Sequence, residues 1–245
     1  MSRKALLIGI NYKGTSSELN GCINDVANVK AFLETKGYSD FTILTDDTPQ
    51  KPTRANILRA IMDLITSGAT HLFLHYSGHG SWIRDKSGDE ADSRDECLVP
   101  IDYNTAGMIV DDEFTGILRC LTRRQTLICL LDCCHSGSAM DLAYCLYSNN
   151  RGTNMAMVKD GNYPRTNGKV VMISGCKDSQ TSADSYEDNL SQGAATWSFL
   201  KAIPNCTTWV ALLKKIRAEL RAGGYRQVPM LSSGRPLKLT SSIRL

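Results

Sequence analysis

The chain has 245 residues, nine cysteines, 42% hydrophobic and 22% charged residues, and a formal net charge of +3. That length can bury one large α/β-type core or two small ones. The charge is too small to argue for a nucleic-acid partner, and no apolar run approaches the roughly 18 residues of a membrane span, so neither nucleic acid nor membrane is expected.

The opening MSRKALLIGI has a basic start but few apolar residues before Asn11, and reads as a core strand rather than a secretory leader. NDVANVKAFLETKG (24–37) carries Val26, Ala27, Val29, Phe32 and Leu33 at helical spacing and stops at Gly37. FTIL (41–44) predicts a strand, and Thr53 a cap for a helix over 54–67. THLFLHYS (70–77) and QTLICLLDC (125–133) are near-continuous apolar runs, as in strands covered on both faces, and KVVMIS (169–174) is a fifth strand. TTWVALLKKIRAEL (207–220) places Trp209, Leu212, Leu213, Ile216 and Leu220 on one helical face. This rhythm predicts an α/β fold with a mainly parallel central sheet flanked by helices on both faces.

Two segments break the rhythm. Residues 85–113 hold ten Asp and Glu against Lys86 and Arg94, a local charge of −8, and by themselves read as a solvated loop. Residues 145–168, rich in Asn, Gly and Thr, read as a long exposed loop.

The cysteines form no CxxC pair, are odd in number and mostly lie in apolar runs, which fits a reduced cytoplasmic protein with buried thiols. His71, His75 and His79 have a spacing that clusters ligands on a helix. On a strand, however, four residues span roughly 13 Å, so the three cannot share a zinc ion.

The chemistry concentrates in HYSGHG (75–80) and DCCHSGS (132–138). Sites in open α/β sheets form beyond the carboxyl ends of the strands, and His79 and Cys134 each lie just past such an end. An imidazole beside a thiol supplies the base that makes a thiolate nucleophile and later the acid for the leaving group. Glycines at 78 and 80 permit the sharp turn that an exposed histidine needs, and the N–H groups of Gly80 and Cys134 suit a developing oxyanion.

HYSGHG followed by DCCHSGS resembles the metacaspases, caspase-related cysteine peptidases. The resemblance extends through GCINDV (21–26), DECLVPID (95–102), DDE (111–113), ISGCKDSQTSAD (173–184), GAATWSFL (193–200) and QVPMLSSG (227–234). It implies a single caspase-like peptidase domain over 1–245. Within it, 1–145 is a large-subunit region, 146–168 an exposed linker loop and 169–245 a small-subunit region. The arrangement is similar to a type I catalytic core without a prodomain.

The same resemblance implies a Cys134 nucleophile and a His79 base, beside the Gly80 N–H as oxyanion donor, while strand alternation points Cys133 to the other face as a spare core thiol. It further implies an acidic pocket of Cys22, Asp25, Ser77 and Asp132 for an Arg or Lys before the scissile bond. A buried Asp132 would need a cationic partner, which a substrate guanidinium supplies. By itself Asp25 would read as an exposed early-helix residue. Asp95, Asp111, Asp112 and Asp141 match the family's calcium-ligating carboxylates, so Ca²⁺ is the implied cofactor. The family resemblance also implies a monomer.

A protease selective for basic residues meets Arg151, Lys159, Arg165 and Lys169 in its own exposed stretch, so self-cleavage there is expected. Other readings are an Asp-specific caspase-like peptidase, against which the acidic pocket argues, and a caspase-fold scaffold or aggregate-handling protein. A cysteine phosphatase would need Arg six residues after its cysteine, where this chain has Met140.

Overall fold

The computed structural model describes residues 2–84, 94–133, 140–148, 155–159, 163–175, 184–187 and 190–245. In chain order the elements are β1 (Arg3–Gly9), α1 (Cys22–Thr35), β2 (Asp40–Thr45), α2 (Arg54–Thr66), β3 (His71–Ser77), β4 (Gly80–Arg84), β5 (Arg94–Leu98), α3 (Tyr103–Ala106), β6 (Ile109–Val110) and α4 (Asp111–Leu118). There follow β7 (Thr126–Asp132), β8 (Tyr144–Ser148), β9 (Met155–Lys159), β10 (Lys169–Ser174), β11 (Asp184–Glu187), β12 (Leu190–Gly193), α5 (Ala194–Ala202), α6 (Trp209–Ala222) and β13 (Met230–Ser233).

The five apolar runs become β1, β2, β3, β7 and β10, and every pairing among them is parallel. They form one side of an eight-stranded sheet in the order β2-β1-β3-β7-β10-β13-β8-β9, whose last three strands join antiparallel. Strand alternation divides their side chains between two cores. Leu6, Ile8, Leu74 and Leu131 pack under α2 and α4, while Leu7, Phe73, Leu130 and Val171 pack under α1, α5 and α6. Helices on both faces are why these strands read as unbroken apolar runs.

The helices start and stop where their sequences direct. The Thr53 hydroxyl accepts the N–H of Asn56 at the start of α2, and Ile57, Ile61, Leu64 and Ile65 form its buried face. Each such side chain contributes about 1.5–3 kcal/mol by leaving water. Helix α1 gives way at Gly37, whose φ of +82° favours glycine.

The loop expected over 145–168 is corrected. Strand β8 pairs with β13 through Cys145 and Ser232, and β9 pairs with β8 from Tyr144 opposite Lys159 to Ser148 opposite Met155. Within β9, Met155 and Met157 pack toward the second core, while Val158 is exposed. An edge hairpin with apolar residues on both faces loses the alternation that marks a strand. Only 163–168 of the expected linker is described without regular strand or helix. The acidic stretch also departs from a solvated loop over its described part. Strands β4, β5 and β6 form a small antiparallel sheet, and Asp95, Glu96 and Asp111 are buried.

Candidate active site

Three parallel strands converge on the site with their carboxyl ends. Ser77 ends β3 and Asp132 ends β7, and the two are register partners. The Gly78 N–H reaches the Asp132 carbonyl at 3.3 Å, which keeps the chains together past the last rung. His79 follows Ser77 by two residues, and the adjacent strands ending at Ser77 and Asp132 run about 4.8 Å apart. Cys134 lies outside the described residues.

His79 is held at both ends of its peptide and by its ring. Its N–H donates to the Tyr12 hydroxyl at 2.9 Å, and its carbonyl accepts from the Tyr76 hydroxyl at 2.8 Å. The Tyr12 hydroxyl in turn donates to the Val99 carbonyl at 2.6 Å. Imidazole Nε2 lies 2.8 Å from the Ser17 carbonyl. A carbonyl only accepts, so this contact places the proton on Nε2 and leaves Nδ1 of the neutral ring as the proton acceptor. Burial raises the pKa of both tyrosines well above their ordinary value, so their hydroxyls stay protonated.

The 10–20 loop that delivers Ser17 is anchored by buried Asn11. Its side-chain oxygen accepts from the Cys22 N–H at 3.0 Å, its N–H donates to Asp46 at 2.7 Å, and its carbonyl accepts from Leu19 at 2.8 Å. Tyr12 follows with φ of +51°, a conformation costly for a non-glycine residue and retained where surroundings enforce it. Asn11, Tyr12, Ser17 and Tyr76 were not singled out from sequence. Ser17 offered no signal at all, since its working atom is a backbone oxygen.

Of the four expected pocket residues, the structure brings Asp25, Ser77 and Asp132 together and sets Cys22 one helical turn before Asp25. Asp25 is fully buried, not exposed as its helix position alone implied. The Ser77 hydroxyl donates to Asp25 Oδ2 at 2.6 Å, and the Gly193 N–H lies 3.0 Å from each Asp25 oxygen. The Thr196 N–H donates to Asp132 Oδ2 at 2.7 Å. Cys22 is buried. Gly80 opens β4 opposite Leu98.

The four expected calcium ligands fall around β5, β6 and the start of α4. Asp95, Asp111 and Asp141 are buried, and Asp112 is exposed. Asp111 accepts from the N–H groups of Glu96 at 2.7 Å and Asp112 at 2.9 Å. The Thr115 hydroxyl donates to the Met140 carbonyl at 2.9 Å, tying α4 to the segment carrying Asp141. Burial and the nearby charges of Asp111, Asp95 and Glu96 push the Cys97 thiol up to about 12. The donor set, all carboxylate oxygen, suits a hard divalent cation. Among the described residues, no three His, Cys, Asp or Glu side chains are grouped closely enough to hold a metal ion as they stand.

The remaining expectations sort by place. Cys133 packs in the first core with Cys129 and Leu131, on the face expected for a spare thiol. His75 is fully buried in the sheet, 3.1 Å by Nδ1 from the Leu130 carbonyl. Lys159 ends the edge strand β9, and Arg165 lies in the irregular 163–166 stretch with its guanidinium 5.5 Å from the Tyr144 ring. Lys169 begins β10, its N–H held by Gln125. Arg151 lies outside the described residues. No helix among them is long and apolar enough to cross a membrane.

Residues 3–143 match the family model described as the metacaspase, peptidase C14 domain. Metacaspase-1B of Aspergillus terreus is 39% identical, covering 96% of this chain and 76% of that protein. Metacaspase-1 of Eremothecium gossypii is 40% identical, covering 96% and 65% respectively. A crystal structure of a Geobacter sulfurreducens protein superposes with a TM-score of 0.72 over 100% of this chain and 98% of its own, at 24% identity, a likeness of fold. A caspase-like central sheet, a family model matching more than half of the chain and relatives of this extent lead to one conclusion: the chain belongs to the metacaspase family of cysteine peptidases.

Proposed function

We propose that this metacaspase is a calcium-activated endopeptidase that cleaves after Arg or Lys with a dyad of His79 and Cys134. The observation that carries the dyad is the shared rung of Ser77 and Asp132, with the His79 ring fixed through Ser17. Nδ1 of His79 takes the Cys134 thiol proton, and the thiolate attacks the substrate carbonyl carbon. The N–H groups of Gly80 and Cys134 stabilise the tetrahedral oxyanion. His79 returns the proton to the leaving amine as the peptide C–N bond breaks. Water then attacks the acyl-enzyme, giving its proton to His79, and the released thiolate is reprotonated.

Specificity for a cation is supported by Asp25 of α1 and Asp132 at the end of β7, two buried carboxylates that meet at Gly193. A substrate guanidinium or ammonium offsets the cost of keeping both ionised. Asp95, Asp111, Asp112 and Asp141 would hold a Ca²⁺ ion, whose charge relieves the repulsion among them. The ligands stand on separate segments and are not grouped beforehand, which fits weak binding and activation by closure. A cytoplasmic monomer that trims its own 151–165 region completes the reading.

A fluorogenic Arg peptide, with and without calcium, tests the proposal. Wild type should be active only with calcium, Cys134→Ala inactive and Cys133→Ala largely active. Activity that survives Cys134→Ala but not Cys133→Ala would reverse the assignment.

A further inference from the structure

The N-terminal turn of α5 follows the 146–168 segment in the chain, yet it sits directly on two carboxylates that precede that segment. Gly193 precedes the helix, and its N–H is shared by both oxygens of Asp25 at 3.0 Å. Three residues on, the N–H of Thr196 meets Asp132 Oδ2 at 2.7 Å. These are N–H groups that a helix leaves unused within its own ladder, at its partially positive end. They are what two adjacent buried carboxylates require to remain ionised together.

Gly193 has φ −72° and ψ 135°, which any residue adopts, so backbone conformation does not require glycine there. Space does. A Cβ placed on Gly193 would lie 2.7 Å from Asp132 Cγ and 2.8 Å from Asp25 Oδ2, inside van der Waals contact with both, and would overlap the Asp132 carboxylate. The missing side chain is the gap through which the two carboxylates approach each other.

We propose that Gly193 is a specificity-determining position, which with the Thr196 N–H clamps Asp25 and Asp132 into one paired site for the substrate cation. The inference rests on the Arg/Lys reading of that pocket. It makes the pocket a composite of the segments before and after 146–168, so a chain cut between 151 and 165 keeps its specificity only while the two pieces stay docked.

The test compares wild type with Gly193→Ala and Thr196→Pro in the full chain. Alanine inserts the Cβ, whereas proline deletes one N–H in the first turn, where no intrahelical bond depends on it. Three quantities are measured: KM and kcat for an Arg peptide with calcium, the rate at which iodoacetamide alkylates Cys134, and the thermal melt. Both variants should raise KM by about tenfold or more, the scale of one charge-assisted hydrogen bond, with Cys134 alkylated at the wild-type rate.

A folded variant of either kind with the wild-type KM overturns the inference. So does a parallel fall in alkylation rate and kcat, which marks general damage. If alanine prevents folding, the proline variant decides alone, and failure of both to fold overturns the specificity role in favour of a folding role. A wild type that does not select Arg or Lys overturns the parent reading. A selective wild type with unaffected variants overturns this inference alone.

Discussion

The Tyr12 hydroxyl accepts the His79 N–H at 2.9 Å while the two rings lie 4.7 Å apart, so one side chain from the end of β1 fixes the histidine at the end of β3. Tyr12→Phe keeps the ring and removes the acceptor. The stranded N–H should cost about 1–3 kcal/mol of stability. A displaced base should also lower kcat by about tenfold or more, with KM little changed. Urea unfolding and steady-state kinetics on the same preparation check both.

Asp132→Ala removes a buried carboxylate at the pocket. Cleavage after Arg and Lys should fall by about 100-fold or more in kcat/KM, the scale of losing one member of a buried charge pair, with the fold retained. Peptides with Asp before the scissile bond should not be cut by wild type. Efficient cleavage after Asp would overturn the acidic-pocket reading.

Asp112 is the one exposed member of the calcium set, so its loss disturbs packing least. Asp112→Ala should leave activity low and insensitive to added calcium. Wild type should activate at about 10⁻⁴–10⁻³ M, the weak end of the range for protein calcium sites. Full wild-type activity in excess chelator would remove calcium from the mechanism.

Calcium-triggered self-cleavage should fall after Arg151, Lys159 or Arg165 and spare Lys169. The Lys169 N–H is bonded to Gln125, and the Val170 carbonyl accepts from Gly234, so that peptide bond is held in the sheet. New N-termini mapped by mass spectrometry in wild type and Cys134→Ala test this. A cut after Lys169 in folded protein, or an equal cut in the inactive variant, counts against it.

His75 gives the chain a pH-dependent stability apart from catalysis. Burial pushes its pKa down to about 4, against an ordinary 6.5. The unfolded chain therefore binds a proton between pH 6.5 and 4 that the folded chain does not. Stability is full above pH 6.5 and falls as pH drops toward 4, by about 3 kcal/mol in all. His75→Phe should flatten the melting temperature across that window. An equal slope in the variant would place the acid sensitivity elsewhere.

The five parallel strands and the three long helices α1, α2 and α6 were legible because burial on both faces, or on one helical stripe, writes itself into local residue order. The strands that precede His79 and Cys134 in the chain were legible for the same reason, since each is an apolar run covered on both faces. The hairpin of β8 and β9 was not, because an edge pairing is decided by the neighbour it finds, here β13 from the far end of the chain. The buried state of Asp25 was hidden in the same way. Its partners, Ser77 and Gly193, are 52 and 168 residues distant, and no local pattern encodes them. The Ser17 carbonyl that orients His79 carries no side-chain signature. Sequence alone thus determined the parallel strands and the family motifs that follow them. Only the tertiary structure decided how His79, Asp25 and Asp132 are held, because their partners are backbone groups and hydroxyls that long-range packing brings to them.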